Sequence, residues 1–315
     1  MIRRKRIAVL VGGPSSEHEV SLKTGEMVEK NLDKKKFNVF KVKIEKDGRW
    51  PITIEKLKEQ TDIAFVAMHG KYGEDGQIQS LLETFQIPYT GSNPIASALA
   101  MDKIKTMEIL QSRGHLVPEY FTARKNNSAL KWDSVKKISL PAVIKPADGG
   151  SSVGISVIRS WGELPQALSK VFQYSDSAVI QRFITGKELS CGVLEINSSV
   201  IPLLPTEIIP NRANFFDYQS KYEDGGSKEI TPPKLPKPLI KKIQQSALAA
   251  HKLLGCSGMS RTDMILGTDG NLHILELNTI PGLTETSLLP QAAEKMGINF
   301  PKLLEIIIDS ANKNG

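Results

Sequence analysis

The sequence predicts an α/β protein in which a parallel-sheet unit comes first and smaller α+β units follow. Apolar runs typical of buried strands cover residues 7–11 and 63–68, residues 37–44 alternate like a strand, and helical periodicity covers residues 19–32 and 78–85. Strand–helix alternation of this kind is typical of a parallel sheet with crossover helices. The chain has 315 residues, which is enough for two or three domains.

Two further units follow the first, and we place the domains at residues 1–97, 98–184 and 185–315. A helical stretch at residues 96–111 leads into the middle unit, whose strand-like runs follow at residues 140–146, 154–158 and 178–183. The last unit combines strand-like runs at residues 188–194 and 201–204 with a helix at residues 239–254 and a hairpin at residues 262–277. Residues 209–238 are polar and rich in Asn, Asp, Gly and Pro, which is typical of a lid, a binding loop or a disordered linker, and we take them as a lid loop.

Composition excludes several classes of protein. The net charge is +7, but the lysines are spread along the chain and aromatic residues make up only 6%, so solvated helix faces are favoured over nucleic-acid binding. No apolar run reaches the length of a membrane span, and the run at residues 7–11 is too short for a signal peptide. Two cysteines without CxxC spacing favour a reducing compartment. These features predict a cytoplasmic protein with neither a membrane nor a nucleic-acid partner.

A hairpin near the C-terminus combines polar side chains with apolar strands. Its two strands join at an Asp-Gly turn, and period-two alternation places Arg261 with Asp263, and Glu276 with Asn278. If these faces coincide, two carboxylates and an amide oxygen converge, and such oxygen ligands suit Mg²⁺. An ordinary hairpin with solvated polar residues is the alternative, but unpaired carboxylates among apolar neighbours are costly. The hairpin therefore predicts a magnesium site for a nucleoside triphosphate.

A glycine-rich loop supplies a candidate phosphate grip. The G-x-x-x-x-G-K-[ST] motif is absent from the sequence, which excludes a P-loop enzyme. Residues 145–154 read KPADGGSSVG, where glycines let backbone N–H groups approach phosphate oxygens and Lys145 adds a positive charge. Alone, such a loop is a weak signal and is more often a plain turn. Beside a predicted magnesium site it favours an ATP-using enzyme.

Taken in order, these motifs resemble the D-alanine–D-alanine ligases of the ATP-grasp superfamily over nearly the whole chain. The motifs that carry the resemblance are residues 12–22 (GGPSSEHEVSL), 69–76 (HGKYGEDG), 89–92 (YTGS), 98–103 (ALAMDK), 145–154, 216–222 (FDYQSKY), 261–263 (RTD), 276–284 (ELNTIPGLT) and 287–288 (SL). The resemblance implies an ATP-grasp fold over the second and third units. It also implies that the parallel-sheet α/β N-terminal domain holds the first D-alanine and forms the contact of a homodimer.

The implied reaction joins two D-alanines with ATP through an acyl phosphate, for peptidoglycan precursor synthesis. The resemblance implies two Mg²⁺ ions, with Mn²⁺ as a substitute, held by Asp263, Glu276 and Asn278. A ligase that makes D-alanyl-D-lactate or joins another D-amino acid is the alternative. Tyr222 argues against the lactate ligases, because those enzymes have a different lid in place of the tyrosine motif.

The resemblance also assigns the substrate-binding and catalytic residues. Glu17 pairs with the ammonium of the first D-alanine and, with Ser151 and Tyr222, closes the lid. Arg261 and the backbone N–H of Gly282 stabilise the oxyanion. Ser287 and the backbone of Leu288 bind the carboxylate of the second D-alanine.

One histidine and one tyrosine have an alternative interpretation. The resemblance places His69 near the first D-alanine, but a histidine that fixes a loop fits the sequence equally well. Tyr222 suits a lid aromatic that packs on apolar surface, although its place beside Lys221 in a polar loop favours function.

For ATP, the resemblance places Lys103 and Lys145 on the α- and β-phosphates and Lys221 on the γ-phosphate. The adenine contacts and the ribose contact are assigned to Gln181, Arg182, Phe183, Ile184 and Glu188. Gln181 departs from the family pattern, since relatives commonly have an acidic residue there. Its amide oxygen can still accept a hydrogen bond from the adenine amino group, so ATP remains the expected nucleotide.

Two functions of other classes compete with the ligase. The first strand and its Gly-Gly turn suggest a nicotinamide-dependent oxidoreductase, but residues 12–17 lack the third glycine of G-x-G-x-x-G. A basic nucleic-acid binder would show salt-dependent DNA affinity. Phosphate release from ATP that depends on D-alanine and magnesium separates the ligase from both.

Overall fold

The computed structural model describes residues 3–126, 135–150, 153–210 and 226–311, and three sheets organise them. The strands are β1 Lys5–Gly12, β2 Phe37–Ile44, β3 Ile63–Val66, β4 Tyr120–Arg124, β5 Ala142–Pro146, β6 Ser156–Ile158, β7 Ser177–Arg182, β8 Gly186–Ile196, β9 Ser199–Pro202, β10 Thr206–Pro210, β11 Ser227–Ile230, β12 Met259–Gly267 and β13 Leu272–Asn278. The helices are α1 His18–Asn31, α2 Ile54–Gln60, α3 Gln77–Thr84, α4 Pro94–Met101, α5 Lys103–Ser112, α6 Leu164–Val171, α7 Lys237–Leu253, α8 Leu288–Glu294 and α9 Phe300–Asp309.

The N-terminal sheet is parallel, as predicted, with the strand order β2-β1-β3. Residues 7–11 of β1 are fully buried, which explains why this strand is a continuous apolar run rather than an alternating one. The carboxyl end of β1 leads into the Gly12-Gly13 turn, and the chain beyond β3 leads into the loop of residues 69–76. Because β1 and β3 are parallel neighbours, both segments lie at one edge of the sheet, where open α/β sheets bind ligands.

The central sheet is antiparallel with the order β4-β7-β5-β6. The helical stretch predicted at residues 96–111 is two helices, α4 and α5, with Asp102 between them. The Asp102 carboxylate accepts hydrogen bonds from the backbone N–H groups of Ile104 and Lys105, at 2.9 and 3.1 Å, and so caps α5. This restart places Lys103 at the first position of α5, beside the glycine-rich loop.

The C-terminal sheet has β8 between β10 and β12, with β11 and β13 at its edges and β9 paired to β8. The predicted hairpin is β12–β13. The polar stretch predicted as a loop at 209–238 contains a strand, because β11 pairs antiparallel with β10 and α7 already begins at Lys237. Strand β11 is a short edge strand with charged residues, so its sequence has little apolar periodicity and resembles that of a loop.

One hydrophobic cluster joins the two ends of the chain. Buried residues of α9, such as Leu303 and Ile307, belong to the same cluster as Ile7 and Leu10 of β1. Ile280, which follows β13, also lies in this shared core. The N-terminal sheet therefore packs against the segment that continues the hairpin. In the described part of the chain, no helix has the length and apolar character that crossing a membrane requires.

Candidate active site

The β12–β13 hairpin places the predicted metal ligands on one face. Asp263 lies opposite Glu276 and Arg261 lies opposite Asn278 in the antiparallel ladder, so the two faces coincide as predicted. After Asp263 the register shifts, and Met264 pairs with Ile274. Leu275 is therefore the extra residue of a bulge, and both it and Glu276 line the neighbouring cleft.

Asp263 is surrounded by hydrogen-bond donors. Arg261 forms a bidentate pair with it, with Nε and Nη2 at 2.9 and 2.8 Å from the two carboxylate oxygens. The Ser190 hydroxyl donates to Oδ1 at 2.8 Å, and Asn278 Nδ2 lies 3.3 Å from Oδ2. A half-buried carboxylate with this many donors is held in one orientation. The sequence did not single out Ser190, which reaches Asp263 from the adjacent strand β8.

Two lysines that the resemblance assigns to the ATP phosphates lie beside this hairpin. Lys103 is 8% exposed, and its Nζ donates to the Gly149 carbonyl at 2.6 Å and lies 3.8 Å from Glu276. Lys145, at the end of β5, is 5% exposed and lines the same space as Glu276. Two nearly buried ammonium groups beside a carboxylate form a pocket suited to a polyanion such as a triphosphate.

The donor set suits magnesium. Among the described residues no group of three or more His, Cys, Asp and Glu could hold a metal ion, so Asp263 and Glu276 need a third ligand of another type. The amide of Asn278, opposite Arg261 on the same face, is the candidate for this third ligand. Mg²⁺ usually takes one or two carboxylates and completes its shell with water and phosphate oxygens, so this set of hard oxygens fits.

A cleft between the central and C-terminal sheets suits a nucleotide. It is lined by all five residues assigned to adenine and ribose, namely Gln181, Arg182, Phe183, Ile184 and Glu188. Gln181 is 2% exposed, and its Nε2 lies 3.3 Å from Met107 Sδ. Its amide oxygen is the group left to accept from an adenine amino group. The apolar walls Val143, Ile208 and Met264 were not predicted, because they meet only when the two sheets pack.

A second cavity contains Glu17 and shares Lys145 and Glu276 with the nucleotide cleft. Glu17 is 6% exposed and immediately precedes α1. A Cβ atom added at Gly70 or Gly150 would lie 2.5 or 2.6 Å from Glu17 Oε2. The two glycines therefore make room for this carboxylate, which explains their place in the predicted motifs. Tyr174 also lines the cavity and was not predicted.

His69 contacts other protein groups through its ring and its backbone. Its Nε2 lies 2.9 Å from Thr24 Oγ1, and its backbone N–H donates to the Ser21 hydroxyl at 2.9 Å. Burial lowers the pKa of His69 to about 4, and the backbone of Ile280 offsets this shift only in part. The ring is thus neutral at physiological pH. These contacts favour the loop-fixing alternative for His69, and its contact with D-alanine stays a prediction.

Glu74 is a buried carboxyl group beside Glu17 that the sequence did not single out. Its Oε2 accepts from the Gly70 N–H at 2.6 Å. Burial raises its pKa to about 8, and the nearby charge of Glu17 adds to this effect. The sequence signal that could have identified Glu74 was its place in the motif of residues 69–76.

Gly282 and Ser287 lie together in the segment after β13. A Cβ at Gly282 would lie 2.8 Å from Ser287 Oγ. The Ser287 hydroxyl accepts from the Thr284 N–H at 3.1 Å and lies 2.8 Å from the Thr284 hydroxyl. Ser287 immediately precedes α8, of which Leu288 is the first residue. The predicted oxyanion donor and the predicted carboxylate site are therefore neighbours.

Three predicted residues, Ser151, Lys221 and Tyr222, lie outside the described residues. Their roles in the lid and on the γ-phosphate stay predictions.

Comparisons with known proteins cover nearly the whole chain. The family model for the D-ala D-ala ligase C-terminus matches residues 109–309, and that for the N-terminus matches residues 6–61 and 51–92. The D-alanine–D-alanine ligase of Carboxydothermus hydrogenoformans is 42% identical over 308 residues, which are 96% of this chain and 97% of the relative. The chain belongs to the D-alanine–D-alanine ligase family. The predicted ATP-grasp fold, preceded by a parallel-sheet α/β domain, is confirmed by the structural relatives of this family.

Two solved structures show the range of this family. The D-alanine–D-alanine ligase of Bacillus anthracis complexed with ATP is 35% identical, with a TM-score of 0.84 over 97% of each chain. The VanG D-Ala:D-Ser ligase of Enterococcus faecalis is 31% identical, with a TM-score of 0.86 over 98% of this chain and 99% of that chain. One fold thus accommodates relatives with different second substrates.

Proposed function

We propose that the protein joins two D-alanine molecules into D-alanyl-D-alanine and converts ATP into ADP and phosphate. The observation that carries this proposal is the continuity of two cavities. Lys145 and Glu276 line both the nucleotide cleft and the cavity that contains Glu17. A triphosphate that lies along these residues reaches from the adenine cleft towards an amino acid held at Glu17.

In the first step the carboxylate of one D-alanine attacks the γ-phosphorus of ATP. A bond forms between the carboxylate oxygen and phosphorus, the bond to the β,γ-bridging oxygen breaks, and ADP leaves. Glu17 binds the ammonium group of this D-alanine by a charge-assisted hydrogen bond. Lys103 and Lys145 hold the phosphates in line. Mg²⁺ bound at Asp263, Glu276 and Asn278 would neutralise charge on the phosphate oxygens.

In the second step the amine of the other D-alanine attacks the carbonyl carbon of the acyl phosphate. The C–N bond forms and the carbonyl oxygen becomes an oxyanion, which Arg261 and the Gly282 N–H stabilise. The tetrahedral intermediate then collapses, the C–O bond to phosphate breaks, and the amine proton is lost. Ser287 and the backbone of Leu288 bind the carboxylate of the second D-alanine.

We also propose that the enzyme needs two Mg²⁺ ions and works in the cytoplasm as a homodimer that contacts neither membrane nor nucleic acid. The apolar surface around Ile95, which is 72% exposed, supports a contact through the N-terminal domain. Light scattering after size exclusion tests the dimer. An Ile95→Glu variant should shift the mass towards the monomer, and a wild-type monomer would refute this part of the proposal.

A coupled assay tests the ligase function directly. ADP and dipeptide should form in equal amounts, and only when D-alanine and Mg²⁺ are both present. D-serine and D-lactate, each supplied with D-alanine, test the alternative second substrates. Glu17→Gln should raise the KM for D-alanine and leave ATP affinity unchanged, because its carboxylate binds the ammonium group. Formation of mixed product in preference to D-alanyl-D-alanine, or ADP release without D-alanine, would refute the proposal.

A further inference from the structure

One side-chain amide connects the loop before α8 to the edge strand β11. The Nε2 group of Gln291, on α8, donates to Glu229 Oε2 at 2.7 Å and to the Thr286 carbonyl at 2.8 Å. Glu229 lies on β11, and Thr286 immediately precedes Ser287. Because a primary amide has two N–H donors, the Gln291 side chain holds both groups at once. The amide is therefore a bridge between the sheet and the loop that leads into α8.

The loop of residues 284–287 also has hydrogen bonds within its own segment. The Thr284 N–H donates to Ser287 Oγ at 3.1 Å, and the Ser287 N–H donates to the Thr284 carbonyl at 3.0 Å. The Gln291 N–H donates to the Ser287 carbonyl at 3.1 Å. These three bonds fix the shape of the turn, but they do not connect it to the sheet. The bond from Gln291 to Glu229 differs from them, since it reaches a strand.

Glu229 is a fixed point for this bridge, because it lies in the sheet that contains the β12–β13 hairpin. It pairs with Ile208 in the antiparallel β10–β11 ladder, and Ile208 lines the nucleotide cleft. The Glu229 side chain is half-buried, and burial raises its pKa, whereas the hydrogen bond from Gln291 lowers it. A carboxyl group in such surroundings is stabilised by a donor, so the bond holds both of its partners in place.

We propose that Gln291 is a positioning residue that sets the place of Ser287 relative to the β12–β13 hairpin and thereby the fit of the second D-alanine. The inference rests on the proposed ligase function, in which Ser287 and the backbone of Leu288 bind the carboxylate of that substrate. Gln291 acts on them through the Thr286 backbone. Its loss should therefore weaken binding of the second D-alanine and leave binding of ATP unchanged.

One variant and a matched control test the proposal by kinetics. Gln291→Met keeps the length of the side chain and removes its donors. Gln244→Met is the control, because Gln244 Nε2 donates to the Leu203 carbonyl at 3.0 Å and this bond involves none of residues 284–291. In Gln291→Met we expect the KM for the second D-alanine to rise about tenfold, since a small displacement of a binding group is costly. Both kcat and the KM for ATP should stay within about twofold of wild type.

Three kinetic results would overturn the proposal. The first is an unchanged KM for the second D-alanine in Gln291→Met. The second is an equal rise of this KM in the control Gln244→Met. The third is a rise of the KM for ATP as large as that for the second D-alanine, which would indicate a general loss of structure.

A double-mutant cycle tests whether Gln291 acts through Glu229. Glu229→Met removes the acceptor, whereas Glu229→Gln keeps one acceptor oxygen and should recover part of the affinity for the second D-alanine. If the two side chains act through one bond, the double variant Gln291→Met/Glu229→Met should raise the KM no more than the larger single change does. Fold-changes in KM that multiply in the double variant would overturn the proposal.

Hydrogen exchange supplies a readout that does not depend on activity. Amides of residues 284–288 should exchange faster in Gln291→Met than in Gln244→Met when the two variants have the same Tm. Equal exchange in the two variants would overturn the proposal. If Gln291→Met does not fold, Glu229→Met and Glu229→Gln decide by the same KM and exchange measurements. A wild-type enzyme that forms no dipeptide would refute the proposed function instead, while the exchange result would still test the bridge.

Discussion

Replacing Ser190 by alanine removes one donor from Asp263, and we expect the affinity for magnesium to fall. Ser190 is 3% exposed and lies directly opposite Asp263 in the β8–β12 ladder, with its hydroxyl 2.8 Å from Oδ1. The substitution leaves the strand and its backbone hydrogen bonds intact. It therefore tests whether this hydroxyl orients the carboxylate for a metal ion.

The size of the effect follows from the remaining contacts. A hydrogen bond to a charged group contributes about 1.5 to 3 kcal/mol. Arg261 still holds both oxygens of Asp263 in the variant, at 2.9 and 2.8 Å, so the loss lies at the lower end of that range. About 1.4 kcal/mol corresponds to a tenfold weaker affinity, which agrees with the effect typical of groups that orient metal ligands.

Titration with Mn²⁺, followed by electron paramagnetic resonance, measures this affinity without turnover. Thr262→Val is the matched control, because Thr262 neighbours Asp263 on β12 and its buried hydroxyl has no hydrogen-bond partner among the described residues. The control should bind Mn²⁺ as wild type does. Equal Mn²⁺ affinity in Ser190→Ala and wild type would refute the reasoning, and so would an equal loss in both variants.

Three further predictions concern stability, pH and the second substrate. Thr262→Val should leave Tm unchanged or raise it, since the variant removes an unpaired buried hydroxyl; a fall of several degrees in a thermal melt would contradict this. Burial lowers the pKa of His251 to about 4, so the folded state resists a proton that the unfolded state takes up below pH 6.5, and stability falls as pH drops from 6.5 towards 4. Between pH 6.5 and 4.5 this group should lower the free energy of unfolding by at most roughly 2 to 3 kcal/mol. The free energy measured by urea unfolding should therefore depend less on pH in His251→Gln than in wild type. Gly282→Ala should raise the KM for the second D-alanine, because the added Cβ would lie 2.8 Å from Ser287 Oγ; an unchanged KM in initial-rate assays would show that Ser287 does not bind this substrate.

Local sequence patterns were sufficient to predict the features that depend on residues close together in the sequence. The apolar run of β1 and the period-two alternation of β12 and β13 predicted both the parallel sheet and the shared face of Asp263 and Glu276. The break between α4 and α5 was missed, although Asp102 is a strong N-cap residue, because helical periodicity continues across it. Strand β11 was missed because its polar sequence lacks an apolar face.

The contacts that bring the site together depend instead on how the sheets and domains pack. Ser190 lies 73 positions from Asp263 in sequence, and only the pairing of β8 with β12 makes them neighbours. A weak signal was still present, since Ser190 stands between Leu189 and Cys191 in an apolar strand. A polar residue at a buried strand position needs a hydrogen-bond partner, and a nearby ionised carboxylate is a strong one. Such residues in strands next to a predicted metal ligand are therefore reasonable candidates for orienting it. Glu74 follows the same logic within its own loop, because its buried carboxyl group needs the N–H donor that Gly70 provides.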